Sequence, residues 1–223
     1  CNADPPTVYS EMLPSEYSRD SLLKPKKFTH YSMGLYVLFF GSKKKFSDVA
    51  HHTIWMSERY KELLHDIFEK KILTEDFSLY LHRPTATDDT FAPEGCDSFY
   101  VLCPVPNLQG NVQWNSEGPK LKDRIVEALD KTIMPGLKEN IEAEFWMTPE
   151  DFKNDYRSKY GAGFSVAPIF SQSAWFRYHN KDKKIPNLYF SAAGSHPGAG
   201  IPGVLCSAKV IEKLIIKDFK VSH

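Results

Sequence analysis

Hydrophobic and polar residues alternate along much of the chain in a way that predicts a β-sheet. Runs rich in aromatic and β-branched residues, bounded by turn-forming residues, are typical of strands. Five such runs occur: HYSMGLYVLFFG (30–41), HHTIWM (51–56), FSLYLH (77–82), SFYVLCPV (98–105) and IEAEFWM (141–147). The last run places one set of side chains on one side of a strand, namely Ile141, Ala143, Phe145 and Met147. We therefore predict a mixed, largely antiparallel sheet.

Apolar residues at spacings of three and four predict helices between and after these strands. The first covers 57–71, with Ser57 as N-cap and an apolar face of Tyr60, Leu63, Leu64, Ile67 and Phe68. The second follows Gly118 and ends at Pro135, with Leu121, Ile125, Leu129 and Ile133 at every fourth position. The third begins at Thr148 as N-cap with Pro149 at the first helical position. These helices are expected to cover the sheet.

A glycine-dense segment near the end of the chain is the most informative one for function. Residues 187–204, NLYFSAAGSHPGAGIPGV, predict a strand, a glycine loop and the start of a last helix that continues to Phe219. Gly198, Gly200 and Gly203 have the G-x-G-x-x-G spacing of a dinucleotide-binding turn, but no second strand with an acidic residue follows. The segment therefore predicts an anion or dipole site at a helix N-terminus, with a tight turn that binds no ligand as the alternative.

Composition and charge exclude several functional classes. Lys and Arg together number 28 and so do Asp and Glu, and no basic patch is interleaved with aromatic residues, so we expect no nucleic-acid partner. The longest apolar stretches are far shorter than the roughly 20 residues that cross a bilayer. Four irregularly spaced cysteines indicate reduced thiols in the cytoplasm. His51 and His52 are expected on opposite faces of a strand, and no metal site is predicted.

Several blocks of the sequence resemble the carboxy-terminal half of the bacterial-type phytoene desaturases, which are flavin-dependent enzymes of carotenoid biosynthesis. The blocks are NAD (2–4), AHHTIW (50–55), EDFSLYLHRP (75–84), APEGC (92–96), GPKLKDRI (118–125), FSVAPIFSQSAWFR (164–177) and NLYFSAAGSHPGAGIPGVLCSAK (187–209). The last block is similar to the family's carboxy-terminal flavin motif. It differs from that motif at Ala192, where glycine is more frequent, and at Ser195, where threonine is usual. Outside this block, Tyr178 stands where the family often has a proline after the residue that corresponds to Arg177.

The resemblance implies an α+β flavoprotein fragment. Residues 1–8 would end one segment of a Rossmann-like FAD-binding domain, 9–160 would form the substrate-binding domain, and 161–223 would return to the FAD domain as strand, glycine loop and helix. The family's G-x-G-x-x-G unit for the adenosine diphosphate part of FAD has no counterpart in the sequence, so the chain is expected to be a fragment that is inactive alone.

The implied activity is desaturation of phytoene toward lycopene, by hydride transfer to FAD and loss of a proton. The residues implied to bind the cofactor are Gly194, Ser195, His196, Pro197, Gly198, Gly200, Ile201, Pro202, Gly203 and Val204. His196 and Arg177 are the candidate catalytic residues. His196 could take a proton or brace the turn, and Arg177 could contact a flavin phosphate or form a salt bridge. For Asp88, Asp89 and Glu94, a turn-capping or solvated-loop role is favoured over a role as acid or base.

The implied partners are an apolar polyene substrate, a quinone or oxygen as electron acceptor, and a membrane surface contacted peripherally by a cytoplasmic protein. Apolar runs such as YVLFF and FYVLCPV would line a substrate channel or pack in the core. Lys43 to Lys45 could flank a membrane-facing helix or form a solvated loop. Two alternative functions remain open: a related carotenoid oxidase, ketolase or saturase, and a non-catalytic module that binds an apolar ligand or membrane.

Overall fold

The structure is a computed structural model that describes residues 1–17 and 29–220. In chain order the helices are α1 (Pro5–Thr7), α2 (Tyr60–His65), α3 (Trp114–Lys131), α4 (Leu137–Asn140), α5 (Pro149–Tyr156) and α6 (Ile201–Phe219). The strands are β1 (Gly34–Ser42), β2 (His52–Trp55), β3 (Leu79–His82), β4 (Asp97–Val105) and β5 (Ile141–Met147). Turns of π-helix, Val8–Met12 and Asp66–Lys70, continue α1 and α2.

The chain divides into two compact units. The first, here called the N/C unit, contains Cys1–Met33 and Phe152–His223, and the second, the sheet unit, contains Gly34–Asp151. These divisions differ from the sequence-based boundaries at 8/9 and 160/161. The assignment of one unit to flavin and the other to substrate stays a prediction.

The sheet unit is built on one five-stranded sheet with the strand order β2-β3-β4-β1-β5. Every strand pair in it is antiparallel, so the prediction of a mixed α+β chain with a largely antiparallel sheet is confirmed. Each of the five sequence runs forms a strand, although β1 ends one residue after its run, at Ser42, and β4 begins one residue before its run, at Asp97. Alternation along the strands gives the sheet two distinct faces.

One face of the sheet packs against α3 to form the main core. Tyr36, Leu38 and Leu81 on the strands and Leu121 and Ile125 on α3 are fully buried in one apolar cluster. The Tyr36 hydroxyl donates to the Gly118 carbonyl at 2.9 Å, which satisfies its only strong donor inside the core. The helix therefore covers the sheet as predicted.

A buried ion pair ties β3 and β4 to the loops beside them. The Arg83 Nε atom donates to Asp97 Oδ2 at 3.0 Å, and both side chains are more than 90% buried. Asp97 also accepts hydrogen bonds from the Phe46 amide and the Thr85 hydroxyl, each at 2.7 Å. Buried charges are stable only when their hydrogen-bonding capacity is met in this way.

Two helix predictions are wrong at their ends. Ser57 is not the N-cap of α2, because its hydroxyl accepts from the Arg59 amide and donates to Asp76 in a turn before the helix begins. Tyr60, predicted on the apolar face, is 42% exposed. Ile133 was predicted on the apolar face of the second helix, but it is 38% exposed. The reason is that α3 ends at Lys131, so that Met134 is buried instead.

Thr148 caps α5 as predicted. Its hydroxyl accepts from the Glu150 amide at 3.2 Å, and Asp151 Oδ2 accepts from the Thr148 amide at 2.6 Å. This reciprocal arrangement satisfies donors that the first helical turn leaves free. Pro149 stands at the start of the helix, where a missing amide hydrogen has no cost.

In the N/C unit, α6 confirms the predicted last helix, but the strand predicted before it does not form. Tyr189 makes a single antiparallel bridge with Lys181, and Ser195 makes a parallel bridge with Tyr178. The Cys1 ammonium donates to the Tyr189 carbonyl at 2.8 Å on the other side. Single bridges without a continuous ladder leave 187–193 as extended loop. Within residues 1–17 and 29–220, no helix is both long and apolar enough to cross a bilayer.

Candidate functional site

The glycine loop leads directly into the N-terminus of α6. Gly200 is the N-cap residue with φ 90°, and no side chain caps the helix. The Val204 amide donates to the Gly200 carbonyl at 2.9 Å, while Pro202 lies in the first turn. No acidic residue occupies that turn. The positive end of a nineteen-residue helix is therefore left without a compensating charge from the first turn.

Gly200 faces open space. No heavy atom within 4 Å would meet a Cβ atom built on it, and its positive φ is a conformation that glycine adopts without cost. Ile201, the next residue, is 79% exposed. The entry to the helix is thus accessible on the side where a ligand would meet its N–H groups.

Other predicted cofactor residues lie in tighter surroundings. A Cβ atom on Gly194 would stand 2.6 Å from the Ser165 hydroxyl and 2.9 Å from Asp4 Oδ1. The same addition on Gly203 would stand 2.6 Å from the Gly198 carbonyl oxygen. These glycines allow the loop to pack closely on its own unit.

Ser195 is fully buried, and its hydroxyl bonds within the protein. It donates to the Ala192 carbonyl at 2.9 Å and lies 3.1 Å from the Ser207 hydroxyl on α6. Asn180 Nδ2 donates to the Ser207 hydroxyl and to the His196 carbonyl, each at 2.8 Å. This network fixes the loop to the helix that it precedes.

Arg177 is buried and donates hydrogen bonds to backbone carbonyls. Its side chain donates to Ala193 at 2.9 Å, to Phe164 at 2.7 Å and to Gln172 at 3.4 Å. Arg177 as a whole is 6% exposed, so the surface salt-bridge interpretation is wrong. Burial lowers the pKa of Arg177, although the charge of Asp4 opposes that shift. Arg177 therefore holds three segments of the N/C unit together at the loop.

Arg177 also lines a cavity in the N/C unit. The cavity has a volume of about 470 Å³, and its wall includes Trp175, Gln172, Tyr9 and Lys181. The Trp175 ring lies edge-on to the His196 ring with 5.9 Å between the centroids. A partly aromatic cavity therefore stands close to the glycine loop.

His196 carries an unmet hydrogen-bonding atom. Its Nδ1 is buried and has no hydrogen-bond partner among the described residues. The His196 amide donates to the Tyr178 carbonyl at 2.8 Å, and the bond to Pro197 is cis. Buried polar atoms without a partner are rare and point to a missing ligand or water.

Asp4 is a buried carboxyl group beside the glycine loop that was not among the site residues predicted from the sequence. It accepts hydrogen bonds from the Ser165 hydroxyl and from the Lys159 amide, the latter at 3.0 Å. Burial raises the pKa of Asp4 more strongly than these bonds and the charge of Arg177 lower it. Its only sequence signal was the NAD block, because an isolated aspartate shows no pattern.

The second face of the sheet carries a row of rings that crosses all five strands. The strand register aligns one residue per strand in this order: Phe145, Phe39, Tyr100, His82 and His52. The centroid distances between consecutive rings are 4.5, 6.0, 4.8 and 5.3 Å. Phe145 remains 59% exposed. The apolar run YVLFF therefore serves the core with Tyr36, Leu38 and Phe40 and the ring row with Phe39.

The two adjacent histidines lie together, so the prediction of opposite faces is wrong. His51 precedes β2, and its ring centroid is 4.4 Å from that of His52. His82 lies opposite His52 in the register of β2 and β3. Burial, followed by repulsion from the other two histidines, lowers the pKa of His82.

The weaker acid or base candidates are in exposed turns. Asp88 caps the short 3₁₀ helix Asp89–Phe91. It accepts hydrogen bonds from the Thr90 hydroxyl and from the Thr90 amide, the latter at 2.9 Å, and these bonds lower the pKa of Asp88. Asp89 pairs with Lys45 at 3.0 Å, and Glu94 is exposed. Lys44 donates to the Pro135 carbonyl at 2.6 Å. These contacts favour the turn and loop roles.

Comparison with known proteins gives relatives over nearly the whole chain, although no protein-family model matches it. The chain is 46% identical over 221 residues to a phytoene desaturase (lycopene-forming) of Pantoea ananas, covering 97% of this chain and 44% of the relative. It is 44% identical over 222 residues to a phytoene desaturase (neurosporene-forming) of Rhodobacter capsulatus, covering 96% of this chain and 42% of the relative. A solved structure of an oxidoreductase from Methanosarcina mazei is 13% identical with a TM-score of 0.45, and the match covers 83% of this chain and 35% of that chain.

The sheet and the glycine loop define a mixed α+β protein with an uncapped helix N-terminus open to a ligand. The sequence identities then place the chain in the family of bacterial-type phytoene desaturases, as the resemblance of its motifs predicted. The chain spans less than half the length of the relatives that it matches.

Proposed function

We propose that this chain is part of an FAD-dependent carotenoid desaturase that acts on phytoene or a close relative. The observation that carries the proposal is the glycine loop at the uncapped N-terminus of α6, in a chain 46% identical to a phytoene desaturase. In a desaturase, bound FAD would supply the two-electron oxidant, which no amino-acid side chain can provide. Family membership is shown for this portion of the protein, and the proposal assigns the family's desaturase activity to the whole enzyme.

The residues of the loop fit one edge of a flavin. The uncapped first turn of α6, from Ile201 to Val204, offers N–H groups and the positive end of the helix dipole to an electron-rich carbonyl edge. The open side of Gly200 leaves room for a planar ring close to the backbone. Gly194, Pro197, Gly198, Pro202 and Gly203 shape the same loop, with Ser195 holding it from inside.

His196 is the one loop side chain with an unmet buried polar atom. We propose that its Nδ1 hydrogen-bonds the bound cofactor, or holds the proton that leaves the polyene. Arg177 is a positioning residue in this proposal, because all three of its hydrogen bonds go to carbonyls of the protein. It would act by fixing the loop that presents His196.

The ring row of the sheet unit is the proposed surface for the polyene. Adjacent strands are about 4.8 Å apart, so a row across five strands extends roughly 19 Å. Phe145, Phe39 and Tyr100 present aromatic carbon along about half of that length, which suits a long apolar chain. The sheet unit would then bind substrate, and the N/C unit would bind one part of FAD.

The electron acceptor in this proposal is a quinone or oxygen, and the enzyme works in the cytoplasm at a membrane surface, where its lipid-dissolved substrate resides. A carotenoid oxidase, ketolase or saturase would use the same cofactor with another polyene. Chromatographic identification of the product formed from phytoene separates these activities from desaturation. A non-catalytic module that binds an apolar ligand would give no product at all.

The experiment that tests the site compares Ile201→Asp with Ile201→Asn in the full-length protein. Ile201 is 79% exposed, so neither change disturbs a core. A carboxylate in the first turn complements the helix dipole but repels an electron-rich flavin edge by about 1–2 kcal/mol, which corresponds to roughly 5–30-fold. We expect Ile201→Asp to weaken FAD binding by that factor relative to Ile201→Asn, as measured by equilibrium titration of flavin fluorescence.

Thermal unfolding without FAD supplies the control. The aspartate variant should be at least as stable as the asparagine variant, because an acidic residue at a helix N-terminus is favourable. Equal FAD affinity of the two variants, with both folded, would remove this helix end from the cofactor site.

A further inference from the structure

We propose that His51, His52 and His82 form a binding site for a divalent transition metal ion of the Zn²⁺ class. One ring nitrogen of each histidine lies within 4.8 Å of the corresponding atoms of the other two. All three residues belong to the sheet unit. The proposal stands on this juxtaposition, and its test uses neither FAD nor phytoene.

The distance between the His51 and His82 nitrogens is close to the ligand spacing of a tetrahedral ion. Zinc–nitrogen bonds of about 2.0–2.1 Å place two ligands of a tetrahedron roughly 3.3 Å apart. His51 Nε2 and His82 Nε2 are 2.8 Å apart, so they need to separate by only about half an ångström to hold such an ion. Three imidazoles leave a fourth position for water or an anion.

Hydroxyl groups orient two of the rings through their other nitrogens. His51 Nδ1 is hydrogen-bonded to the Thr87 hydroxyl, and His52 Nδ1 lies 2.7 Å from the Tyr80 hydroxyl. Each bond occupies one ring nitrogen and leaves Nε2 as the other donor atom. Metal-binding histidines are held in this manner by a second layer of hydrogen bonds.

The backbone that carries the histidines explains how the site arises. His52 and His82 are directly opposed on β2 and β3, and His51 lies just before β2. β2 is an edge strand of the sheet and has no partner on its other side within the described chain. A bound ion would join this edge strand to its neighbour and would increase the stability of this strand pair.

The test uses full-length protein purified without a polyhistidine tag and treated with a chelator. Titration with Zn²⁺ in a calorimeter should give one site per chain with a Kd of about 100 µM or tighter. His52→Gln and His82→Gln should each weaken binding by at least about tenfold. His65→Gln is the matched control, because His65 is an exposed histidine on α2, outside the cluster, and it should leave the affinity unchanged.

Co²⁺ gives a second readout that does not depend on the variants folding. Wild-type protein with one equivalent of Co²⁺ should show the strong visible absorption of a tetrahedral site, and Zn²⁺ should abolish it. A Kd weaker than about 100 µM, equal affinity in the cluster variants and wild type, or a weak octahedral Co²⁺ spectrum would overturn the proposal.

Discussion

Single buried polar residues hold the glycine loop in its conformation. Asn180 hydrogen-bonds to His196 and Ser207, and Ser195 hydrogen-bonds to Ala192 and lies 3.1 Å from the Ser207 hydroxyl. Arg177 joins Ala193, which comes just before the glycine loop, to Phe164. Removing one such side chain leaves a buried carbonyl or hydroxyl unsatisfied, at a cost of about 1–3 kcal/mol. The loop therefore has a fixed shape before any ligand arrives, and His196 is presented from a rigid support.

Asp4 gives this region a pH dependence of stability. Burial raises its folded-state pKa above 3.8, so its favourable contribution is complete below that value and is lost as the pH rises through the folded-state pKa. We expect the free energy of unfolding of wild type to decrease relative to that of Asp4→Asn as the pH is raised from about 3.5 to 7. Urea unfolding across this range measures the difference.

Taking the difference between the two proteins removes other carboxylates from the comparison. Asp66 and Asp218 have lowered pKa values, so their contributions change in the opposite direction, but equally in both proteins. A free-energy difference that stays constant with pH, or grows in favour of wild type, would contradict a raised pKa at Asp4.

The sequence was informative about the loop but not about its supports. Glycine spacing and the family resemblance identified residues 194–204, because backbone conformation there demands particular residues. Asp4 and Asn180 approach the loop from distant positions in the chain, and a lone polar residue has no period that would reveal such an approach. The fit of Arg177 to three carbonyls likewise depends on packing that spacing does not encode.

At the scale of elements, the two faces of the sheet differ in what they contact. The face with Tyr36 and Leu38 is sealed by α3, whereas the face with Phe39 and Phe145 carries the ring row. Because side chains alternate along a strand, one short run such as YVLFF contributes to both. In the run YVLFF this alternation places Tyr36, Leu38 and Phe40 in the core and leaves Phe39 on the face that we propose as the substrate surface.

Phe145→Ser tests the ring row as a substrate surface. Loss of the aromatic contact should raise the apparent KM for phytoene by roughly threefold to tenfold, for an interaction worth about 1 kcal/mol, without changing kcat at saturation. The measurement is the rate of product formation from phytoene in liposomes at several substrate densities.

Glu142→Ser is the matched control on the same strand, since Glu142 is exposed and is not one of the residues of the ring row. It should leave KM unchanged. An unaltered KM in Phe145→Ser, or an equal increase in Glu142→Ser, would argue against substrate binding on this face.

Strands were more predictable than the contacts between them. Each β-rich run produced its strand, because alternation and β-branched residues act locally. The histidine cluster was missed because it depends on the register of β2 against β3, which brings residues 52 and 82 together. The strand predicted at 187–193 failed for the related reason that a strand exists only where a neighbouring ladder continues.

At the scale of the whole molecule, the chain presents exposed aromatic residues in a region that also contains lysines. Phe170 is 87% exposed, Trp175 67% and Phe176 52%, and the exposed Lys183 and Lys184 share a cavity wall with the last two. Aromatic side chains near cations are typical of surfaces that contact lipid headgroups. We propose this cluster, rather than Lys43 to Lys45, as the peripheral membrane contact.

Phe170→Ser should reduce binding of the full-length protein to anionic liposomes by about tenfold, because one large apolar side chain no longer enters the interface. Liposome flotation measures the bound fraction. Phe91→Ser is the control, since Phe91 is also 60% exposed but belongs to the sheet unit. If both variants float with the lipid as wild type does, or both lose binding equally, the cluster is not the membrane contact.

The proposed function of the whole enzyme is tested most directly by one anaerobic reaction. Full-length protein with bound FAD is mixed with phytoene in liposomes, and the visible absorbance of the flavin and the polyene products are followed together. Loss of the oxidised flavin absorbance, matched in amount by new double bonds in the polyene, is the predicted result. Flavin that stays oxidised with phytoene unchanged, or a protein that binds no flavin, would contradict an FAD-dependent carotenoid desaturase.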